Sequence, residues 1–121
     1  MKKYIFLLAV LLGLSLQAQD LFSSFKPDNY ANDLTEKIKT VLDIQDADQI
    51  QSIKNLTYSY AKSIQKYILL NTKRGLTEGK TLDEVVEMVK PNALKATKFY
   101  RRLGNIVGAE NLEKLQRANI F

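Results

Sequence analysis

The sequence predicts an all-α protein, a small bundle of four or five helices behind an N-terminal signal peptide. Three observations carry this. Apolar residues recur three and four positions apart over most of the chain beyond Pro27, the spacing of one face of an α-helix. Beyond the N-terminal apolar run no segment keeps a period of two for long, and the turn pairs typical of hairpins are absent. Glycine, proline and capping residues interrupt the apolar stripes at intervals suited to short helices.

The chain opens MKKYIFLLAVLLGLSLQAQD. Lys2 and Lys3 form a positive start, Tyr4 to Leu16 is an apolar run of thirteen residues, and Gln17 and Ala18 follow. That order is the pattern of a secretory signal peptide. The run is short for a membrane-spanning helix, which needs roughly twenty residues. The predicted division is a signal peptide over residues 1–18, cut after Ala18, and one helical domain over residues 19–121. Leu16, at the −3 position, is larger than usual there, and an uncleaved anchor is the alternative. The chain has no cysteine, so neither a cysteine-linked lipid anchor nor a disulfide framework is available, and packing alone must hold the fold.

The first predicted helix starts with Asp28 as N-cap behind Pro27 and carries Tyr30, Leu34, Ile38, Val41 and Leu42 on one side. Asp46 is the predicted cap of the second. There Ile50, Ile53, Thr57, Tyr60, Ile64 and Tyr67 alternate steps of three and four, a heptad-like seam that Leu56 and Ile68 widen. Gly75 ends this helix, with Lys73 and Arg74 at the negative end of its dipole. Thr81 and Glu84 predict a capping box, and Leu82, Val85, Val86 and Val89 the apolar side of a short helix. Pro91 predicts its break or kink, because proline removes a hydrogen bond and collides with the preceding turn. The next helix is expected from about Asn92, with Phe99, Tyr100, Leu103, Ile106 and Val107 inward and Gly104 marking a close contact or bend. Gly108 ends it, and AENLEKLQRA predicts a last short helix, with Ile120 and Phe121 packing at the terminus.

Several chemistries have no residues to run on. With no His and no Cys, the commonest general base, thiol nucleophiles and most zinc or copper sites are missing, and no phosphate loop or dinucleotide glycine pattern is present. No catalytic residue, metal or cofactor is therefore predicted. The candidates for a carboxylate hydrolase, Asp83 with Glu87 or the group Asp43, Asp46 and Asp48, are accounted for by helix capping and surface charge. The sequon Asn55-Leu56-Thr57 lies within a predicted helix.

Without Lys2 and Lys3 the chain keeps 16 basic against 13 acidic residues, about +3, too mild an excess to argue for nucleic acid. Its distribution is polarised. Asp20 to Asp48 holds seven acids and three bases, whereas Lys54 to Arg102 holds eleven bases and four acids. The candidate binding residues are Lys54, Tyr58, Lys62 and Lys66 on the outer side of the second helix, and Lys95, Lys98 and Arg102 further on. An amphipathic helix ordinarily carries lysines outward, so the lysines need no ligand to explain them; Tyr58, between Lys54 and Lys62, does not follow from that rule.

The order of signal peptide, cysteine-free helices and basic central helices resembles the small periplasmic chaperones of the Spy and CpxP type. That family carries LTxxQ-like motifs; the nearest stretches are LDIQDADQIQSIKNL, from Leu42 to Leu56, and IVGAENLEKLQ, from Ile106 to Gln116. Both lack the threonine and displace the glutamines, so no functional residue is carried over. The resemblance implies a helical cradle and a dimer. The resulting expectation is a non-catalytic protein of a Gram-negative bacterial periplasm, or a secreted one, binding protein or peptide partners through basic and apolar helix surfaces, with no membrane span after signal cleavage. A subunit dedicated to one envelope partner, as inhibitor or assembly factor, is the alternative, and a carboxylate hydrolase the remote one.

Overall fold

The computed structural model describes residues 20–121 and is all-α, with no strand among the described residues. The expected signal peptide, residues 1–18, lies outside the described residues. After a helical turn at residues 20–24, the helices are α1 (Pro27–Leu42), α2 (Ala47–Lys73), α3 (Leu82–Thr97), α4 (Phe99–Val107) and α5 (Ala109–Arg117). Helix α2, about 40 Å long at 1.5 Å per residue, is the spine. It packs against α1, α3 and α4, while α5 closes the bundle against α4 and α1.

Helix α1 begins two residues earlier than the sequence predicts, with its cap position at Lys26 instead of Asp28. Lys26 occupies the cap position without a side-chain bond, Pro27 takes the first helical position, and Asp28 sits in the first turn. Proline has no amide hydrogen to leave unsatisfied there and its φ already suits a helix, so the carboxylate acts on the dipole rather than as the cap. At the other end Asp43 turns left-handed at φ 51°, and the Ile44 amide bonds back to the Lys39 carbonyl at 3.1 Å. The apolar residue after the left-handed one is buried, as this kind of helix stop prefers.

The middle of the α2 seam is buried as its spacing predicts: Ile53, Thr57, Tyr60 and Ile64 are inaccessible or nearly so, with Leu56 and Ile68 beside them, and the end members Ile50 and Tyr67 are half-buried. Thr57 is a polar member of that seam with its needs met inside the protein. Its hydroxyl lies 2.8 Å from that of Thr35 on α1, with the carbonyls of Lys54 at 3.0 Å and Ala31 at 3.2 Å as acceptors. Of the sequon, Asn55 is exposed whereas its threonine is fully buried within the helix. Asp46 takes the cap position of α2 but makes no side-chain bond there. Gly75, at φ 74°, follows the last turn, and the Leu76 amide returns to the Asn71 carbonyl at 2.9 Å.

The capping box of α3 is formed. The Glu84 amide donates to the Thr81 hydroxyl at 3.2 Å, and the Thr81 amide donates to the Glu84 carboxylate at 3.0 Å. These bonds, chiefly the one from the Thr81 backbone, hold the Glu84 carboxyl below its ordinary value. The expected break at Pro91 is not where the helix ends. Helix α3 runs through Pro91 to Thr97, and the chain turns at Lys98, left-handed at φ 51°. Pro91 is exposed, so the carbonyl that loses its donor one turn earlier faces water instead of the core, and the helix continues at the cost of one bond. Gly104 makes the close approach expected of it: a Cβ there would come within 3.2 Å of Leu112 Cδ2 on α5. Gly108, at φ 92°, separates α4 from α5.

The core is closed by the chain's own side chains, among them Ile38, Ile68, Val85, Leu103 and Leu115. One end of it is aromatic. Phe25, Tyr30, Tyr60 and Phe99 form a chain of rings with centroids 5.4, 6.0 and 4.8 Å apart. Phe121 packs edge-on against Phe99 and Tyr100 at 5.3 and 5.4 Å, so the C-terminal residues dock as expected. The large apolar side chains standing exposed among the described residues are Tyr58, Leu76 and Met88.

Candidate recognition surface

The candidate residues on α2 follow steps of four: Lys54, Tyr58, Lys62 and Lys66. All are exposed, Tyr58 by 41%. Their side chains point away from the packed seam because that seam occupies the opposite third of the helix. The Lys62 ammonium donates to the Gln65 side-chain oxygen at 3.4 Å, within the same helix.

Lys95, Lys98 and Arg102 are also exposed, but they are not equivalent. The elbow between α3 and α4 holds an open groove of about 360 Å³, lined by Pro91, Leu94, Lys95, Lys98, Tyr100 and Arg101, with Phe99 beneath. Phe99 itself is fully buried, so Pro91, Leu94 and Tyr100 supply the apolar surface that a ligand would touch. Lys95 and Lys98 stand on its rim; Arg102 does not, and Arg101 takes that place. A continuous helix would set Arg102 one turn above Lys98. The left-handed turn at Lys98 resets the helical phase and rotates Arg101 to the groove instead. Sequence reasoning missed Arg101 because it depends on that one backbone angle.

The electrostatics of the elbow are one-sided. The ion pairs among the described residues join Glu87 to Lys90, at 2.6 Å, and Glu113 to Arg117, so none of Lys95, Lys98, Arg101 and Arg102 has a carboxylate partner there. Helix α4 starts with no side-chain cap and no acidic residue in its first turn. Its first turn instead carries Arg101 and Arg102, at the positive end of the helix dipole. By contrast, Lys95 and Lys98 lie at the C-terminal end of α3, where cations are favourable. The Arg101 and Arg102 placement is the one that helix electrostatics does not explain.

Beneath the elbow lies a buried polar feature. The Tyr60 hydroxyl is enclosed and makes no full hydrogen bond. The Tyr30 hydroxyl lies close enough to act on it through charge and a long, imperfect hydrogen bond, short of the geometry of a full one. Burial raises the phenols of Tyr30, Tyr60 and Tyr100 above their ordinary value, and Lys90 pulls Tyr30 and Tyr100 partly back.

The carboxylates weighed as catalytic candidates are dispersed. Glu87 is paired with Lys90, and Asp83 sits in the first turn of α3. Asp43 forms the left-handed stop of α1, Asp46 holds the cap position of α2, and Asp48 lies in the first turn of α2. No group of three or more acidic residues among the described residues is arranged to hold a metal ion. No family model, curated protein or solved structure matches the chain.

Proposed function

We propose that the protein is an exported, non-catalytic helical bundle that binds polypeptides. The observation that carries this is the set of exposed cations beside apolar side chains at the α3–α4 groove, where Lys95, Lys98, Arg101 and Arg102 have no carboxylate partner among the described residues. Export is supported by the lysine-led apolar run and Ala18. No helix among the described residues is long and apolar enough to cross a membrane.

Two modes of binding compete. The Spy- and CpxP-like resemblance supports a chaperone that shields many clients on a cradle. The closed core and the local groove favour the other mode, a subunit dedicated to one envelope partner, because a small apolar anchor site with a charged rim suits a defined segment. Light scattering of a partly unfolded client at low salt, paired with crosslinked capture from envelope extracts, separates them. Suppression of aggregation with many weak partners supports the chaperone; one stoichiometric partner without suppression supports the dedicated subunit. Neither suppression nor capture contradicts polypeptide binding altogether.

A further inference from the structure

We propose that the α3–α4 groove docks an acidic polypeptide segment carrying one bulky apolar side chain between its carboxylates. This rests on the polypeptide-binding reading and names the chemistry of the bound segment. The groove's volume, about 360 Å³, is at the small end of ligand sites, which run from roughly 300 to 1,000 Å³. It is open to solvent rather than enclosed. An open depression of this size accepts a single aromatic or aliphatic side chain laid over Pro91, Leu94 and Tyr100. A long acyl chain needs an enclosed tunnel to leave water.

The rim selects the charge. Lys95, Lys98 and Arg101 line the groove together with its apolar residues, and no described ion pair neutralises them. The uncapped start of α4, without an acidic residue, contributes positive potential at the elbow, where Lys95 and Lys98 offset the negative end of α3. A ligand with carboxylates on both sides of its anchor satisfies the rim, and Arg101 offers the planar fork that takes a carboxylate through two bonds. The apolar anchor supplies burial, and the carboxylates supply orientation and encounter rate. On α2, Tyr58 projects from the helix surface and presents a ridge, a shape that does not enclose an anchor.

The test is fluorescence anisotropy of a fluorescein-labelled peptide, Glu-Asp-Glu-Phe-Asp-Glu, titrated with the whole mature chain. The peptide is expected to bind saturably and more weakly at higher salt. The double variant Lys95→Glu/Arg101→Glu is expected to weaken it at least about tenfold, or about 1.4 kcal/mol. Lys37→Glu/Lys114→Glu, exposed lysines of α1 and α5 outside the candidate binding set, is expected to change it by less than about twofold, an allowance for long-range screened charge. A peptide with Ala in place of Phe, or with Lys flanks, is expected to lose binding. Equal weakening by the two double variants, undiminished binding of the Ala peptide, or tighter binding of dodecanoate or anionic phospholipid vesicles would overturn the assignment. Circular dichroism checks the variants' fold, and Lys95→Gln/Arg101→Gln replaces the reversal if the latter unfolds. If the unaltered chain ignores the peptide yet suppresses client aggregation or captures one partner, the groove assignment falls while the polypeptide-binding reading stands.

Discussion

Where α1 lies against α2, apolar side chains interlock and the buried hydroxyls of Thr35 and Thr57 satisfy each other and the neighbouring carbonyls. Around the α3–α4 elbow the same chain breaks several local rules at once. A proline sits inside α3, arginines occupy the positive end of α4, and below them a buried phenol makes no full hydrogen bond among the described residues; Lys98 turns left-handed as Asp43 does at the end of α1, but with a side chain less suited to that conformation. Departures from local preference tend to gather where a protein does something other than hold itself together. The α1–α2 side follows local preference and the elbow departs from it, and the proposed binding role rests on that contrast.

The comparison predicts effects of opposite sign in the two regions. The largest is common to both, because Phe99 joins the elbow to the core. Phe99→Ala removes a fully buried ring in contact with Tyr60, Tyr100 and Phe121, and is expected to destabilise by about 3–5 kcal/mol in urea unfolding. A loss below about 1 kcal/mol, typical of a surface change, would mean that the aromatic end is not packed as described.

Pro91→Ala comes next and goes the other way. Restoring an amide at position 91 allows a bond to the Glu87 carbonyl, and a helix-interior proline is worse than alanine by about 3 kcal/mol. The melting temperature is expected to rise. A fall would show that Pro91 is not under strain in α3, removing one leg of the contrast.

The α1–α2 side answers with a double-mutant cycle. Thr57→Val keeps the shape but strands the buried Thr35 hydroxyl, for a loss of about 1–3 kcal/mol. Thr35→Val added to it is expected to recover much of that loss, because no unpaired polar group remains. Strictly additive losses would contradict the pairing.

Tyr60→Phe has the smallest expected effect, stabilising by no more than about 1 kcal/mol, because it deletes a buried hydroxyl whose contact with Tyr30 falls short of a full hydrogen bond. It carries a pH signature. Burial lifts the phenols of Tyr30, Tyr60 and Tyr100 above the ordinary 10.0, so the folded state holds these protons more tightly than the unfolded chain. Stability is then complete below about pH 10 and declines as pH rises from there toward the folded values. The decline is expected to be shallower in Tyr60→Phe; an unchanged slope would mean that Tyr60 is not shielded from solvent.

How much of this is legible in the sequence differs between the same two regions. The α2 seam is readable because its steps of three and four persist over many turns, and the Thr81–Glu84 box because both partners lie within one turn. Gly75 and Gly108 mark helix ends because their φ values suit glycine. The elbow is not readable. A left-handed lysine has no local signature, and whether Pro91 stops a helix depends on which side of α3 faces water. From that single turn follows the exchange of Arg102 for Arg101 at the groove. Thr35 meeting Thr57 and the enclosure of the Tyr60 hydroxyl are tertiary events between residues far apart in sequence.

The most direct test of the central proposal, that recognition resides at the elbow and not along the spine, is an amide NMR map of the protein titrated with the acidic Phe-centred peptide. The account predicts shifts concentrated from Pro91 to Arg102, the proline itself being silent, with the amides around Lys54 to Lys66 unmoved. Perturbations spread evenly along the outer face of α2, with the elbow silent, would contradict it.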